Sequence, residues 1–212
     1  MAALNSGREY HAPRRVAQAT ATREAIVDAA GRLFARHGYA ATAMAAVAEE
    51  AGVAAKSVYG VADKAGLLLL AVERDAAAGG TEDALEALLR RYPLLRAFEE
   101  AAAAEPVLRE PWRRHERHRR AEVKRLVRAA AEAGRLRPGL TVGRATDTLW
   151  ALVTWHAVAL LVEQRGWSRA KLTAWLEQQV DAVLSGPAAP APGDGGPRVA
   201  SITPSGRRET GG

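Results

Sequence analysis

Three closely spaced polar side chains, Lys56, Ser57 and Tyr59, are of types that could bind an anionic partner. A lysine ammonium can meet a phosphate or the edge of a guanine, and a serine hydroxyl can donate or accept at either. Thr42 and Lys64 stand where helices are expected to begin, and the N–H groups of a helix start already favour an anion. The alternative is that these are ordinary solvated surface side chains.

Composition narrows the class of protein. The chain of 212 residues has a formal net charge of +6, which favours a polyanion, although arginine-rich proteins of many kinds are basic. It has no cysteine, which excludes disulfides, thiolate metal sites and a cysteine nucleophile. Its longest apolar run, residues 149–162, is shorter than the ~20 residues of a membrane span. No apolar signal-peptide region follows the N-terminal arginines. We therefore expect a cytoplasmic protein with no membrane partner.

The elements that must position the polar side chains are predicted to be helices throughout, because no stretch alternates like a strand. A first helix is predicted to begin at Thr22 and to end at Gly38. A second is predicted to be capped by Thr42 and closed by Gly52, and a fourth to be capped by Asp63.

Between Gly52 and Asp63 there is room for a third helix of only two turns, held inward by Val53 and Val58. The side chains left pointing outward are Ala54, Ala55, Lys56, Ser57 and Tyr59. Two helices joined by a tight glycine turn, the second of them short, fit a helix-turn-helix, whose second helix enters the major groove of DNA.

The rest of the chain is also predicted to be helical. A helix over 81–104 should kink or break at Pro93, and Pro106 and Pro111 should bracket a short piece before a basic helix over 112–133. A helix over 141–165 is apolar on every side, which predicts burial all round. Ser168 should cap the last helix, in which four apolar residues have interface spacing: Leu172, Leu176, Val180 and Val183.

The segment TREAIVDAAGRLFARHGYAATAMAAVAEEAGVAAKSVY closely resembles the N-terminal domain of TetR-family transcriptional regulators. With Lys64, Leu67 and Leu68 the matching positions span about fifty residues, whereas the remainder resembles the family only in being helical. The chain departs from the family pattern in two places. Ala54 stands where a Ser or Thr usually caps the recognition helix, and the segment before Lys64 lacks the usual aromatic residue.

The resemblance implies an all-α protein with a three-helix DNA-binding domain of the helix-turn-helix type and a larger C-terminal helical domain for ligand binding and dimerisation. It implies a regulator, most simply a repressor released from a palindromic operator by an unknown small molecule. Tyr59 resembles the family tyrosine that touches a backbone phosphate. The family's last two helices form the homodimer. No cofactor is implied.

The expected organisation has four parts. Residues 1–21 are a flexible basic arm, 22–66 the DNA-binding domain, 67–185 the ligand-binding and dimerisation domain, and 186–212 a disordered tail rich in proline and glycine.

Candidate ligand-binding residues come from two helices. On the basic helix the inward face turns polar in its first half, so its members either line a cavity or leave the core. The candidates are Trp112, Glu116 and Arg119 there, and Trp150, Thr154, Trp155 and His156 on the apolar helix. His115, His118 and Glu122 share a face that could bind a metal, but neighbouring arginines would repel a cation, so no metal is expected.

Two other functions stay open. A helical ligand carrier with a weak or non-specific DNA-binding domain is suggested by Ala54 and the missing aromatic residue. An all-α enzyme is disfavoured, because the sequence has no phosphate-binding glycine loop, metal-binding helix motif or nucleophile elbow.

Overall fold

The computed structural model describes residues 6–78 and 84–185. Every regular element within these two ranges is a helix, which confirms the all-α prediction. The helices are α1 Ser6–Ala41, α2 Met44–Glu50, α3 Ala55–Val61, α4 Lys64–Ala78, α5 Ala84–Ala104, α6 Pro106–Glu132, α7 Val142–Leu152, α8 Trp155–Val158, a π-helix Ala159–Gln164 and α9 Arg169–Ser185. The predicted tail over 186–212 and the Gly79-Gly80 break lie outside the described residues.

One apolar core joins the N-terminal helices to the larger region. Fully buried side chains from α1 to α4 meet others from α5 and α6, among them Ile26, Phe34, Val47, Val58, Leu67, Leu68, Phe98 and Leu108. Helix α4 contributes to this core through Leu67 and Leu68, so any movement of α4 is transmitted to α1 and α3 by direct packing.

The predicted start of the first helix at Thr22 is wrong, since α1 begins at Ser6. The part of α1 before Thr22 was missed because its side chains from Arg14 to Ala21 are exposed. An exposed segment needs no apolar stripe, and the sequence has none there. Helix formation in this segment rests instead on intrinsic preference, as alanine, arginine and glutamine are good helix formers. Gly38 does interrupt α1 as predicted, with a positive φ of 78°.

Thr42 does not cap α2. The N-cap residue is Ala43, which makes no side-chain cap bond. The Thr42 hydroxyl instead donates 2.8 Å back to the carbonyl oxygen of Gly38, and the residue is only 4% exposed. A threonine can satisfy the end of the preceding helix as well as the start of the next, and here the first role applies.

Neither Pro93 nor Pro111 ends a helix. Helix α5 runs through Pro93, and α6 begins at Pro106 and includes Pro111, so the predicted short bracketed piece is wrong. Pro111 has no backbone N–H, so the helical hydrogen bond to the carbonyl oxygen of Val107 is absent. That residue is 65% exposed, where water can hydrate the carbonyl.

The apolar helix predicted over 141–165 is divided at Val153. Thr141 caps α7 by accepting from the Arg144 N–H at 3.2 Å, and Thr154 starts α8 by accepting from the Ala157 N–H at 3.4 Å. The two segments meet at a bend of 43°. The predicted burial all round is also wrong for the single chain, because Leu160 in the π-helix is 52% exposed.

Among the described residues, no one helix combines the length and apolar character of a membrane span; only the bent pair on either side of Val153 reaches that composition together.

Candidate nucleic-acid interface

The turn between α2 and α3 is built by the backbone around Gly52. Gly52 has a φ of 66°, its N–H donates to Glu49 O at 3.1 Å, and the Val53 N–H donates to Ala48 O at 2.9 Å. These two bonds form a Schellman motif, which a glycine in the left-handed conformation favours. The motif turns the chain sharply, so that α3 crosses α2 as in a helix-turn-helix.

Helix α3 is held from one side only. Val58 is completely buried and Val53 is half-buried, as predicted. Ala54, Ala55, Lys56 and Ser57 are exposed, and Tyr59 is 63% exposed. Thus the five outward positions predicted from the sequence do lie together on the solvent face of the helix. No ion pair or hydrogen bond of the described residues engages the Lys56 ammonium.

The start of α3 lacks a side-chain cap, because its N-cap residue is Ala54. The first turn is closed by the backbone alone, with the Ser57 N–H donating 2.9 Å to Ala54 O. A missing cap costs about 1 kcal/mol. The seven-residue helix therefore depends on Val58 for its position.

Lys64 lies at the start of α4, but its ammonium is occupied within the protein. It donates 3.2 Å to Ala40 O and lies 4.6 Å from the centroid of the Tyr39 ring. Asp63 caps α4 as predicted, accepting from the Gly66 N–H at 2.7 Å. Burial, with Glu105 and Asp63 nearby, raises the pKa of the Tyr39 hydroxyl. Of the predicted DNA-binding residues, Thr42 and Lys64 therefore bind backbone carbonyls of the protein through their side chains. Within the described residues, no hydrogen bond or ion pair engages the side chains of Lys56, Ser57 and Tyr59.

Ion pairs tie α4 to both sides of the molecule. Arg74 binds Asp28 of α1, with a guanidinium N–H 3.1 Å from the carboxylate. Asp75 binds Arg90 and also Arg91, the latter at 2.8 Å. The DNA-binding helices are thus connected through α4 to α5.

Glu116, Arg119 and Trp150 do come together. Arg119 donates to both Glu116 oxygens at 3.1 and 2.7 Å, and also to the carbonyls of Trp150 and Val153 at 2.8 and 3.0 Å. These carbonyls are freed where α7 ends, and Arg119 supplies the hydrogen bonds that they lack there. Its guanidinium lies 5.2 Å from the Trp150 ring.

Trp112 belongs to a second cluster. Its ring contacts Phe98 at 5.2 Å edge to face and stacks on His115 at 5.4 Å. Burial, followed by the charge of Arg91, lowers the pKa of His115 to about 4. A neutral, half-buried His115 packs as an aromatic ring. The part of the chain that the structure describes holds no group of three metal-ligating side chains.

Trp155 and His156 form a third cluster with a carboxylate that the sequence analysis missed. The Trp155 ring stacks on His156 at 3.8 Å, and its indole N–H donates 2.9 Å to Glu99. The same Glu99 oxygen lies 3.2 Å from His156 Nε2. Glu99 stands on α5, 56 positions away, and no local pattern in the sequence marks it.

Comparison with known proteins bears on the N-terminal domain most directly. Residues 26–69 match the family described as bacterial regulatory proteins, tetR family. No protein of curated function matches the sequence.

Thirteen solved chains are similar to this one, and they include the following three. One is a TetR-family transcriptional regulator from Rhodococcus sp., at 23% identity and a TM-score of 0.56, covering 78% of this chain and 100% of that one. The fatty acid degradation regulator FadR from Bacillus halodurans has 18% identity and a TM-score of 0.52, covering 76% and 94%. MexZ, a key repressor responsible for antibiotic resistance in Pseudomonas aeruginosa, has 26% identity and a TM-score of 0.49, covering 78% and 96%. The first two share the fold.

Proposed function

We propose that the chain is a TetR-family repressor released from a palindromic operator by a small molecule, on the premise that residues 26–69 match the family of bacterial regulatory proteins, tetR family. The observation that carries the proposal is the outward face of α3. Lys56, Ser57 and Tyr59 are exposed while Val58 is buried, so the helix offers a polar surface on a rigid support. Such a surface can enter a major groove and meet both phosphates and base edges.

A palindromic site requires two copies of α3, so we propose a homodimer formed by the last two helices. In such a dimer the side chain of Leu160 in the π-helix, which is 52% exposed in the single chain, would be covered. The interface spacing predicted for Leu172 and Leu176 is wrong, since both are buried inside the chain. The dimer surface of α9 is then its opposite, exposed side, around Ala174 and Asp181.

We place the effector between α5, α6 and α8, beside Trp112, Trp155 and His156. The indole rings and the exposed His156 imidazole supply apolar faces with few polar groups, as small-molecule sites generally do. Glu116, Arg119 and Thr154 form the supporting wall, because their polar atoms already bind protein groups. The buried indole N–H of Trp150 has no hydrogen-bond partner within the described ranges, and it is the polar group that a ligand could satisfy.

Release follows from the position of α4. An effector that moves α5 or α6 would pull on Asp75 through Arg91 and so displace α4 and the α1–α3 core packed on Leu67 and Leu68. The effector must bind the DNA-incompetent state more tightly for this to occur. A coupling free energy of about 1–3 kcal/mol would change operator affinity about 5- to 150-fold.

The second candidate is a helical ligand-binding dimer with only non-specific DNA affinity, which the uncapped start of α3 favours. We place either form in the cytoplasm and assign no catalytic residues. A competition shift assay with the upstream region of the protein's own gene separates the two. If the protein is a repressor, unlabelled operator should displace the labelled operator at a far lower concentration than random duplex does. Equal displacement by the two would support the ligand-binding dimer with non-specific DNA affinity.

A further inference from the structure

An open groove of about 430 Å³ lies between α1 and α3. The residues of its walls that matter here are Arg15, Gln18, Thr22 and Arg23 of α1 and Ser57 and Gly60 of α3. The first of these lie in the segment that was predicted as a flexible arm, and they have the i, i+3, i+7, i+8 spacing of one helix face. The extended α1 thus brings a second polar surface alongside the recognition helix.

Two arginines of this groove contrast with Arg32 of α1 and Arg74 of α4, which both have carboxylate partners. Arg32 binds Glu50 at 2.9 Å, and Arg74 binds Asp28. Arg15 and Arg23 are exposed, and within 14–78 and 86–185 no carboxylate pairs with either. Their positive charge is therefore available to an anion that enters the groove.

The groove is continuous with the predicted DNA-binding face of α3. Ser57 belongs to both surfaces. At Gly60 a side chain would meet nothing within 4 Å, so this wall is open to an approaching backbone. A DNA strand bound to α3 would pass the groove next.

We propose that this groove binds the sugar-phosphate backbone of duplex DNA, with Arg15 and Arg23 as phosphate contacts that do not read sequence. The proposal rests on the proposed function. The two arginines are eight residues apart, about 12 Å along α1. Two guanidinium groups so spaced can each meet a different phosphate, since one DNA strand carries a charge about every 3.4 Å of axis.

Salt dependence tests the proposal. Binding of the full-length protein to its own upstream duplex and to a random duplex is measured by fluorescence anisotropy from 50 to 200 mM salt. Each lost phosphate contact reduces the slope of log affinity against log salt by about 0.9. The double variant Arg15→Ala, Arg23→Ala should lose about 2 units of slope on both duplexes. The ratio of wild-type to variant affinity should therefore fall about tenfold between 50 and 200 mM salt.

Two control variants distinguish loss of the groove contacts from a general loss of positive charge. The variant Arg113→Ala, Arg114→Ala removes the same charge from exposed positions of α6 and should change the slope by less than about 0.5. Arg15→Lys, Arg23→Lys keeps both charges and should retain the wild-type slope.

An unchanged slope in Arg15→Ala, Arg23→Ala, or an equal loss in the α6 variant, would overturn the groove as a DNA contact. In either case a wild-type preference for the upstream duplex would leave the proposed function standing. Absence of that preference in the wild type would overturn the proposed function itself, and this proposal with it.

Discussion

The ammonium of Lys64 lies 4.6 Å from the centre of the Tyr39 ring, and it also donates to the carbonyl of Ala40. These contacts join the start of α4 to the end of α1. Replacing Lys64 by alanine should lower the free energy of unfolding by about 1 kcal/mol, because a cation–π contact and a hydrogen bond are both lost. Urea unfolding measures the change. Lys56→Ala, at an exposed position without a partner, is the control and should stay within about 0.5 kcal/mol. Equal effects of the two would refute a structural role for Lys64.

Gly66 permits the connection formed by Ala62 and Asp63 to lie close against the first turn of α4. A Cβ at this position would lie 2.8 Å from the Ala62 Cβ and 3.1 Å from Asp63 Oδ1. Gly66→Ala should therefore cost about 1–3 kcal/mol, through a shift of the α4 cap. Gly60→Ala, where the added methyl has open space, should be neutral or stabilise by up to about 1 kcal/mol. Thermal melts measure both variants. Equal changes in the melting temperatures of Gly66→Ala and Gly60→Ala would contradict this packing.

Arg119 is expected to stabilise the break between α7 and α8. Arg119→Met leaves the half-buried Glu116 carboxylate and the Val153 carbonyl without their donor, and should cost about 2 kcal/mol or more in urea unfolding. Arg117 forms an ion pair with Glu110 in which both side chains are about two-thirds exposed. Arg117→Met should therefore change stability by less than about 0.5 kcal/mol. If Arg119→Met lowered the free energy of unfolding by no more than Arg117→Met does, the break between α7 and α8 would not depend on Arg119.

His115 makes stability depend on pH. Its pKa is about 4 in the folded protein, against about 6.5 when unfolded, so the unfolded chain binds the extra proton first. The free energy of unfolding should consequently fall as pH drops from about 6.5 to 4, by about 2 kcal/mol from this group. His115→Leu should remove that part of the loss between pH 7 and 4.5.

Urea unfolding of His115→Leu and of the wild type, in parallel at pH 7 and pH 4.5, measures this difference. If His115→Leu loses stability with acid as steeply as the wild type, then the partial burial of His115 has no consequence for its titration.

Local signals in the sequence sufficed for the turn between α2 and α3 and for the caps of α4 and α9. Gly52, Asp63 and Ser168 each act on residues within a few positions, and the structure has them in the predicted turn and caps. The exposed part of α1 was missed for a physical reason. A helix that buries nothing has no apolar period, and its start cannot be found from one.

The contacts of the larger region could not be predicted in the same way. Arg119 meets Trp150 across 31 positions, and Trp155 meets Glu99 across 56. Such pairs are fixed by the packing of α5, α6 and α8, and the sequence contains no spacing rule for them. The candidates Glu116 and Arg119 were found because charge on an inward face is unusual, but that signal did not distinguish a ligand wall from a helix cap.

The central claim is that the outward face of α3 reads DNA, and a paired substitution on that face tests it most directly. Lys56→Ala, Tyr59→Ala should weaken binding to the upstream duplex by about thirtyfold or more, since each such contact contributes about 1–3 kcal/mol. Its melting temperature should not change, because both side chains are exposed. Arg113→Ala, Arg114→Ala on α6 should keep operator affinity within about threefold. Operator affinity of the α3 variant equal to that of this control, at an unchanged melting temperature, would contradict the account.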